Sequence, residues 1–466
     1  MAGIAKRRVG RDLTSGPIMS SLLMFALPIV CTDLIQQLYS MVDLIIIGHF
    51  VGNVGTVGVN TGGEIADFLM PVATAFAAAG QIYIAQLAGA KKFEEQKSAI
   101  GTFVTLMLAA SLAFMVVTIA ATDPILHLLN CPEEAMGQAR AYMIITAVGL
   151  PFIYGYNAVC GILRGMGESK RPLTFIIIAA TVNIFLDLLL VAVFDLSAAG
   201  TAIATVISQI ASFTASFAYM YLHKETFAFD LKLSYFKCDR HHMAVLLKLG
   251  LPQALRSVLV RASMMWVNSS VNACGDIASG TNGIGNKLQK FLEIFSASMS
   301  QASAAMVGQN LGAKKQDRAR KAVLCTLLCS LSFAVVISGI ILIFPHQVFG
   351  VFTPDEAVKA LGVYYIQMLA VHIVVSAVTS SFQSMVIGSG NATLNFVIGI
   401  LDGVICKVGL SLLFVYAIFQ VTPETDWFMT TLGYFWGTGL SRVLPALVCM
   451  AYFFSGRWKN RSLVSD

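Results

Sequence analysis

Roughly twelve apolar stretches, each near or above the ~20 residues a helix needs to cross a bilayer, fill most of this sequence. They lie near 18–47, 56–88, 99–121, 138–160, 173–194, 199–222, 247–270, 280–311, 322–344, 358–386, 393–419 and 428–455. The 466-residue chain is 57% hydrophobic and only 12% charged, more apolar surface than one soluble core can hide, so lipid is its solvent. The fold class that follows is an all-α polytopic membrane protein. Lys6, Arg7, Arg8 and Arg11 precede an apolar stretch too long for a signal peptide and lacking a small-residue cleavage site. We read it as a retained first span.

The sequence is also written twice. Ala-Gln-Leu-Ala-Gly-Ala-Lys-Lys at 85–92 returns as Gly-Gln-Asn-Leu-Gly-Ala-Lys-Lys at 308–315. Cys-Pro-Glu-Glu-Ala at 131–135 returns as Thr-Pro-Asp-Glu-Ala at 353–357, each followed at equal spacing by a tyrosine, Tyr142 and Tyr364. Arg164-Gly-Met-Gly167 matches Ile387-Gly-Ser-Gly390, and Pro28 is echoed by Pro252, all at a shift of about 223 residues. Two six-helix bundles are expected, 1–223 and 248–466, joined by a basic segment at 224–247. Six is even, so both halves enter the membrane from one side. Their pseudo-two-fold axis then runs along the membrane normal, with a central cleft between like-oriented bundles.

Charge sets the orientation. Lys91, Lys92, Lys97, Arg164, Lys170, Arg171, Lys224, Lys232, Lys237, Arg240, Lys248, Lys314, Lys315, Arg318, Arg320 and Lys321 all fall in even-numbered connections. The other connections hold chiefly Arg140 and Lys359 among several acids. This places both termini in the cytoplasm and the chain in the cytoplasmic (inner) membrane. The net charge of +6 is a topology signal, and no nucleic-acid partner is expected. No Walker-type phosphate loop, His-Glu-x-x-His or Gly-x-Ser-x-Gly occurs, and the seven histidines are scattered, so neither an enzyme nor a cofactor is expected. The nine cysteines form no Cys-x-x-Cys pair and read as free thiols.

Several motifs resemble one known family, the multidrug and toxic compound extrusion (MATE) transporters. They are Pro28 with Leu38-Tyr-Ser-Met-Val-Asp43 and Gly48, Gln86 with Gly89-Ala-Lys91, Arg164-Gly-Met-Gly-Glu-Ser-Lys170 with Pro172, and Asn183-Ile-Phe-Leu-Asp187. The resemblance implies a secondary antiporter that exports amphipathic organic cations in exchange for H+ or Na+ by alternating access. The chain looks closer to the DinF-type branch, because the NorM-type carboxylate of span seven is absent and Arg256 and Arg261 occupy that stretch. A lipid-linked head-group flippase of the same superfamily and a non-transporting sensor or assembly factor are the alternative readings. A small-molecule cation, the coupling ion and membrane lipids are the expected partners of a monomer.

Ionisable residues inside hydrocarbon are functional candidates by default. Gln36, Tyr39, Ser40 and Asp43 share one side of span one, and Asn183 and Asp187 are one turn apart in span five. The resemblance places Tyr39, Asp43, Asn157, Asn183, Asp187 and Thr205 around one cation- or proton-binding pocket, with Pro28 as hinge. Asp33 and Arg256 occupy equivalent repeat positions and read as a contact between lobes, as cavity lining, or as locally paired. Glu64 and Asp67 align with Lys287 and Lys290, opposite signs that suit an exterior gate or pairing within each lobe. Glu293 reads as a cation contact or as neutralised by Lys287 or Lys290. Asp402 reads either as a cation ligand or as the partner of Lys407, five residues on and imperfect for one helix face. Lys248, Arg442 and Lys407 lie near span ends and read as snorkelling.

Overall fold

Lipid offers a backbone no hydrogen-bond partners, so a crossing segment must close its own bonds, and a helix does so. The computed structural model describes residues 11–224, 236, 238–461 and 463–464, excepting the side chains of Leu44 and Asn53. Lys6, Arg7, Arg8, Lys232, Lys237 and half of the basic segment at 224–247 lie outside these residues. The long helices of the first half are α1 (Ile18–Phe50), α2 (Gly52–Gly89), α3 (Phe93–Ala120), α4 (Glu133–Gly165), α5 (Lys170–Val193) and α6 (Ser197–Leu222). Those of the second are α7 (Arg240–Asn272), α8 (Asp276–Gly312), α9 (Gln316–Ile343), α10 (Glu356–Gly388), α11 (Ala392–Ile418) and α12 (Trp427–Ser455). The all-helical polytopic reading is borne out.

One helix stands apart and one boundary needs correction. Eleven of these twelve helices are long and apolar enough to cross a membrane by length and composition alone, among the described residues. The exception is α8, whose 37 residues suffice in length but include Asn282, Asn286, Lys287, Gln289, Lys290 and Glu293. The seventh helix starts at Arg240 rather than near 247, because Asp239 caps it. Its Oδ1 accepts the backbone N–H groups of His241 (2.8 Å) and His242 (3.1 Å). These bonds, His242's first, hold the Asp239 carboxyl below its ordinary range.

By internal contacts the chain divides into two units, chiefly Leu27–Leu251 in one, and Thr14–Ala26 with Pro252–Ser465 in the other. Helices α1 and α7 therefore each change unit next to a proline, Pro28 or Pro252. Proline lacks the amide that would close the helical bond there, so the helix bends most easily at this point. The leading strip Thr14–Gly16 is held by the second unit: Lys315 donates to Thr14 O (2.8 Å), and Arg318 to Ser15 O and Gly16 O (both 2.6 Å).

Duplication is visible in the backbone itself. Positive φ recurs at Gly52 and Gly275, at Lys91 and Lys314, and at Gly167 and Gly390, each pair one repeat apart. Gly167 shows why the residue type matters. Its φ is +84°, its carbonyl accepts Arg11 N–H at 3.0 Å, and a Cβ would collide with the Arg11 carbonyl oxygen. Gly167→Ala is expected to destabilise by at least the ~1–2 kcal/mol of a left-handed non-glycine residue. Thermal unfolding in detergent checks this against Gly137→Ala, a helical glycine with open space around it, which should be close to neutral. Equal melting temperatures for the two variants would refute the strain argument.

Candidate functional site

In the first unit, glycines bring α2 onto α4. A Cβ on Gly62 would stand 2.6 Å from the Ala139 carbonyl oxygen, and one on Gly58 2.8 Å from the Gln138 side chain. This close approach seats Tyr142 of α4 against the apolar cluster of Ile46, Ile47, Val51, Val59, Val191 and Ala198. Beside that cluster, the carboxyl groups of Asp43 (α1) and Asp187 (α5) face each other as direct neighbours. Asp187 and Asn183 are each only 1% exposed. Both oxygens of Asp187, Oδ1 of Asp43, and both polar atoms of the Asn183 amide are buried with no hydrogen-bond partner among the described residues. The two carboxyls thus adjoin without forming an ordinary hydrogen bond. Tyr39 lies within electrostatic reach of Asp43, one turn back on α1.

Chemically the pair is unfinished. Two ionised carboxylates side by side repel, and no basic side chain is bonded to either among the described residues. One bound proton or one small cation would relieve the repulsion and supply the missing partner. The α-helical part of α5 ends at Asp187 and continues as a π-helical turn, Leu188–Val193. Such turns are rare and recur at functional sites, because they re-aim side chains relative to the regular helix.

The structure brings together Tyr39, Asp43, Asn183 and Asp187, and adds one residue to their neighbourhood. Tyr142 is electrostatically close to Asp43, Asp67, Asp187 and Tyr39. The repeat had marked Tyr142 only as a spacing match. The other expected pocket residues are less engaged. Asn157 donates Nδ2 to Ile153 O of its own helix at 2.8 Å, and Thr205 is half-buried on α6. Gln36 carries Ser40 on its carbonyl (3.0 Å), and Asp33 is half-buried on α1. Glu64, Asp67, Lys287 and Lys290 are all exposed.

The second unit holds a charge network that the sequence reading resolved wrongly. Glu293 is no free carboxylate, and neither Lys287 nor Lys290 neutralises it. Its Oε1 lies 2.7 Å from His372 Nε2 and 3.4 Å from Arg442 Nη1, and accepts Ser376 Oγ–H at 3.3 Å. Arg442 does not snorkel. It also reaches Asp402 Oδ2 through Nε at 3.7 Å and donates to Ser376 Oγ. Arg442 sits where α12 breaks, between Leu440 and Val443. Pro445 lacks the amide that would bond Ser441 O, so the helix interrupts there. The freed Gly439 carbonyl accepts His372 Nδ1–H at 3.1 Å, which puts a proton on that nitrogen.

Lys407 does not snorkel either; it is 7% exposed. The stretch Leu401–Val408 is π-helical, with i→i+5 bonding. A spacing of five, poor in an α-helix, therefore puts Asp402 and Lys407 toward one side, within electrostatic range of each other.

Tandem units of membrane-length helices, with a buried acid pair left unpartnered among the described residues, define a multi-pass helical membrane protein. The MatE family profile matches the chain twice, over residues 28–189 and 252–413. The chain belongs to the MatE family. Both matches start at the prolines where α1 and α7 change unit, which accords with the repeat read from the sequence. Among relatives, the probable multidrug resistance protein YpnP of Bacillus subtilis is 25% identical over 459 residues, covering 98% of this chain and 99% of its own. The multidrug export protein MepA of Staphylococcus saprophyticus is 24% identical over 396 residues, covering 83% and 85%. A solved outward-facing multidrug resistance MATE transporter superimposes with a TM-score of 0.88 at 19% identity, over 96% of this chain and 99% of its own. That likeness speaks for the fold alone. Family membership bears out the resemblance read from the motifs.

Proposed function

We propose that this chain is a secondary antiporter that exports amphipathic organic cations across the cytoplasmic membrane in exchange for H+ or Na+. Multidrug resistance and export in the names of its relatives support the substrate class. The observation that carries the coupling role is the Asp43–Asp187 pair, whose buried oxygens find no hydrogen-bond partner among the described residues. A site in this condition gains from binding one positive charge and releases it when the environment becomes wetter, which is what exchange requires. Pro28 is the hinge in this reading, and both termini face the cytoplasm, as the basic connections favour. Purified protein in proteoliposomes should drive efflux of a fluorescent organic cation under an imposed pH gradient or, failing that, a sodium gradient. The gradient that works names the ion. No efflux under either gradient from a folded preparation would sink the proposal.

A further inference from the structure

His372 of α10 is buried, and both of its ring nitrogens are in contact with polar groups of other helices. A carbonyl cannot donate, so the 3.1 Å contact with Gly439 O keeps a proton on Nδ1 whether the ring is neutral or charged. Nε2 is therefore the atom that gains or loses the titrating proton. Two side chains of α8, one turn apart, stand within reach of it. Gln289 Nε2 lies 3.0 Å away and Glu293 Oε1 2.7 Å away. The amide nitrogen is a donor only, and an ionised carboxylate is an acceptor only. No single charge state of Nε2 serves both. A neutral ring offers its lone pair to the Gln289 N–H; a charged ring donates N–H to Glu293.

Each charge state thus finds its partner already in place, and Nε2 is left unsatisfied in neither. Glu293 also keeps Arg442 Nη1 at 3.4 Å and Ser376 Oγ–H at 3.3 Å, so it is not stranded when the ring is neutral. A purely structural histidine uses one tautomer with one partner at each nitrogen, and the third contact here would be redundant. Polar side chains continue from the site along α8. Tyr365 Oη lies 3.4 Å from Gln289 Oε1 and 3.5 Å from Asn286 Oδ1, and Asn286 and Asn282 both donate to Asn268 Oδ1, at 3.0 and 2.9 Å. On its other side the site is partly open, since Glu293 and Arg442 keep 20% and 23% of their side-chain surface. The charged groups around the ring are Glu293 from α8, Arg442 from α12 and Asp402 from α11, with Lys407 of α11 within electrostatic range of Glu293. Tyr365 is the titratable neighbour on α10 itself.

We propose that His372 is an exchangeable-proton site in the second unit, its Nε2 bonding Gln289 when neutral and Glu293 when charged. Taking up one proton then moves the hydrogen bond between α8 and α10 by one turn along α8. The site goes beyond the ion coupling given to Asp43 and Asp187 and stands without it. Nitrogen NMR of the full-length protein in detergent, with isotope-labelled histidine rings, reads it directly, because protonated and unprotonated ring nitrogens resonate far apart. The His372 signals are assigned by their loss in His372→Gln or, should that variant not fold, by removing the other histidines one at a time. Across the pH range in which the protein stays folded, Nδ1 is expected to remain protonated while Nε2 loses its proton as pH rises. Glu293→Gln removes the partner of the charged ring and should move that loss to lower pH by about one unit or more. Gln289→Leu removes the partner of the neutral ring and should move it the opposite way. Asp43→Asn should leave it in place. Nε2 held in one state throughout overturns the proposal, as do shifts of the same sign in the two α8 variants. Loss of the titration in Asp43→Asn would overturn the independence of the site. No efflux is measured, so failure of the exporter reading leaves this result untouched.

Discussion

Asp43→Asn is expected to yield a folded, membrane-inserted protein whose gradient-driven efflux falls to the level of protein-free vesicles. The amide keeps the size and neutral charge of a protonated carboxyl, so the surrounding α1, α2 and α4 packing has no reason to change. What disappears is the ability to exchange a charge. Asp43 and Asp187 adjoin with three of their oxygens buried and unpartnered among the described residues, and that shortage makes ion binding at the pair favourable. With Asn at position 43, Asp187 gains an amide donor, and the pair no longer has two states separated by one proton or cation. Binding of the organic substrate should persist, measured as fluorescence anisotropy of a cationic dye. Asp187→Asn should behave alike or more mildly, since Asp43 is half-buried and better placed to stay ionised alone. Wild-type efflux from a well-folded Asp43→Asn protein would remove this residue from the mechanism.

Arg442→Met should be the most destabilising single change in the second unit. Among the described residues, Arg442 is the one side chain that bonds both Glu293 and Asp402, across α8, α11 and α12. Removing one partner of a buried ion pair costs about 3–5 kcal/mol, because the surviving charges keep their desolvation without their attraction. Lys407→Met provides the contrast. Lys407 is buried yet makes no direct ion pair, so its removal should be neutral or stabilising. Thermal unfolding in detergent reads both. Arg442→Met melting with the wild type would show that this network does not hold the unit together.

The parts of this site that were legible in the sequence share a property: they follow from local spacing. Asp43 sits one turn after Tyr39 and Asp187 one turn after Asn183, and a helix puts such residues on one face wherever it packs. Tyr142 was overlooked because its link to Asp43 runs between α4 and α1. That contact depends on glycines 58 and 62 letting α2 approach α4. Arg442, Lys407 and Glu293 were misread for a related reason. Hydropathy treats each span as a uniform α-helical rod, whereas α11 winds as a π-helix over Leu401–Val408 and α12 breaks after Leu440. Both changes shift the angular phase of every side chain beyond them.

Taken alone, the sequence determined that the chain is helical, spans a membrane many times, carries a duplicated architecture and buries acids in its first half. Each of these rests on composition, on periodicity along one segment, or on a segment's likeness to its own copy. Tertiary structure alone decided that Asp43 meets Asp187 and that Glu293 belongs to His372 and Arg442. The physical reason is that helix formation follows from bonds four residues apart. The partner of a buried charge is chosen instead by how distant helices pack and where they bend.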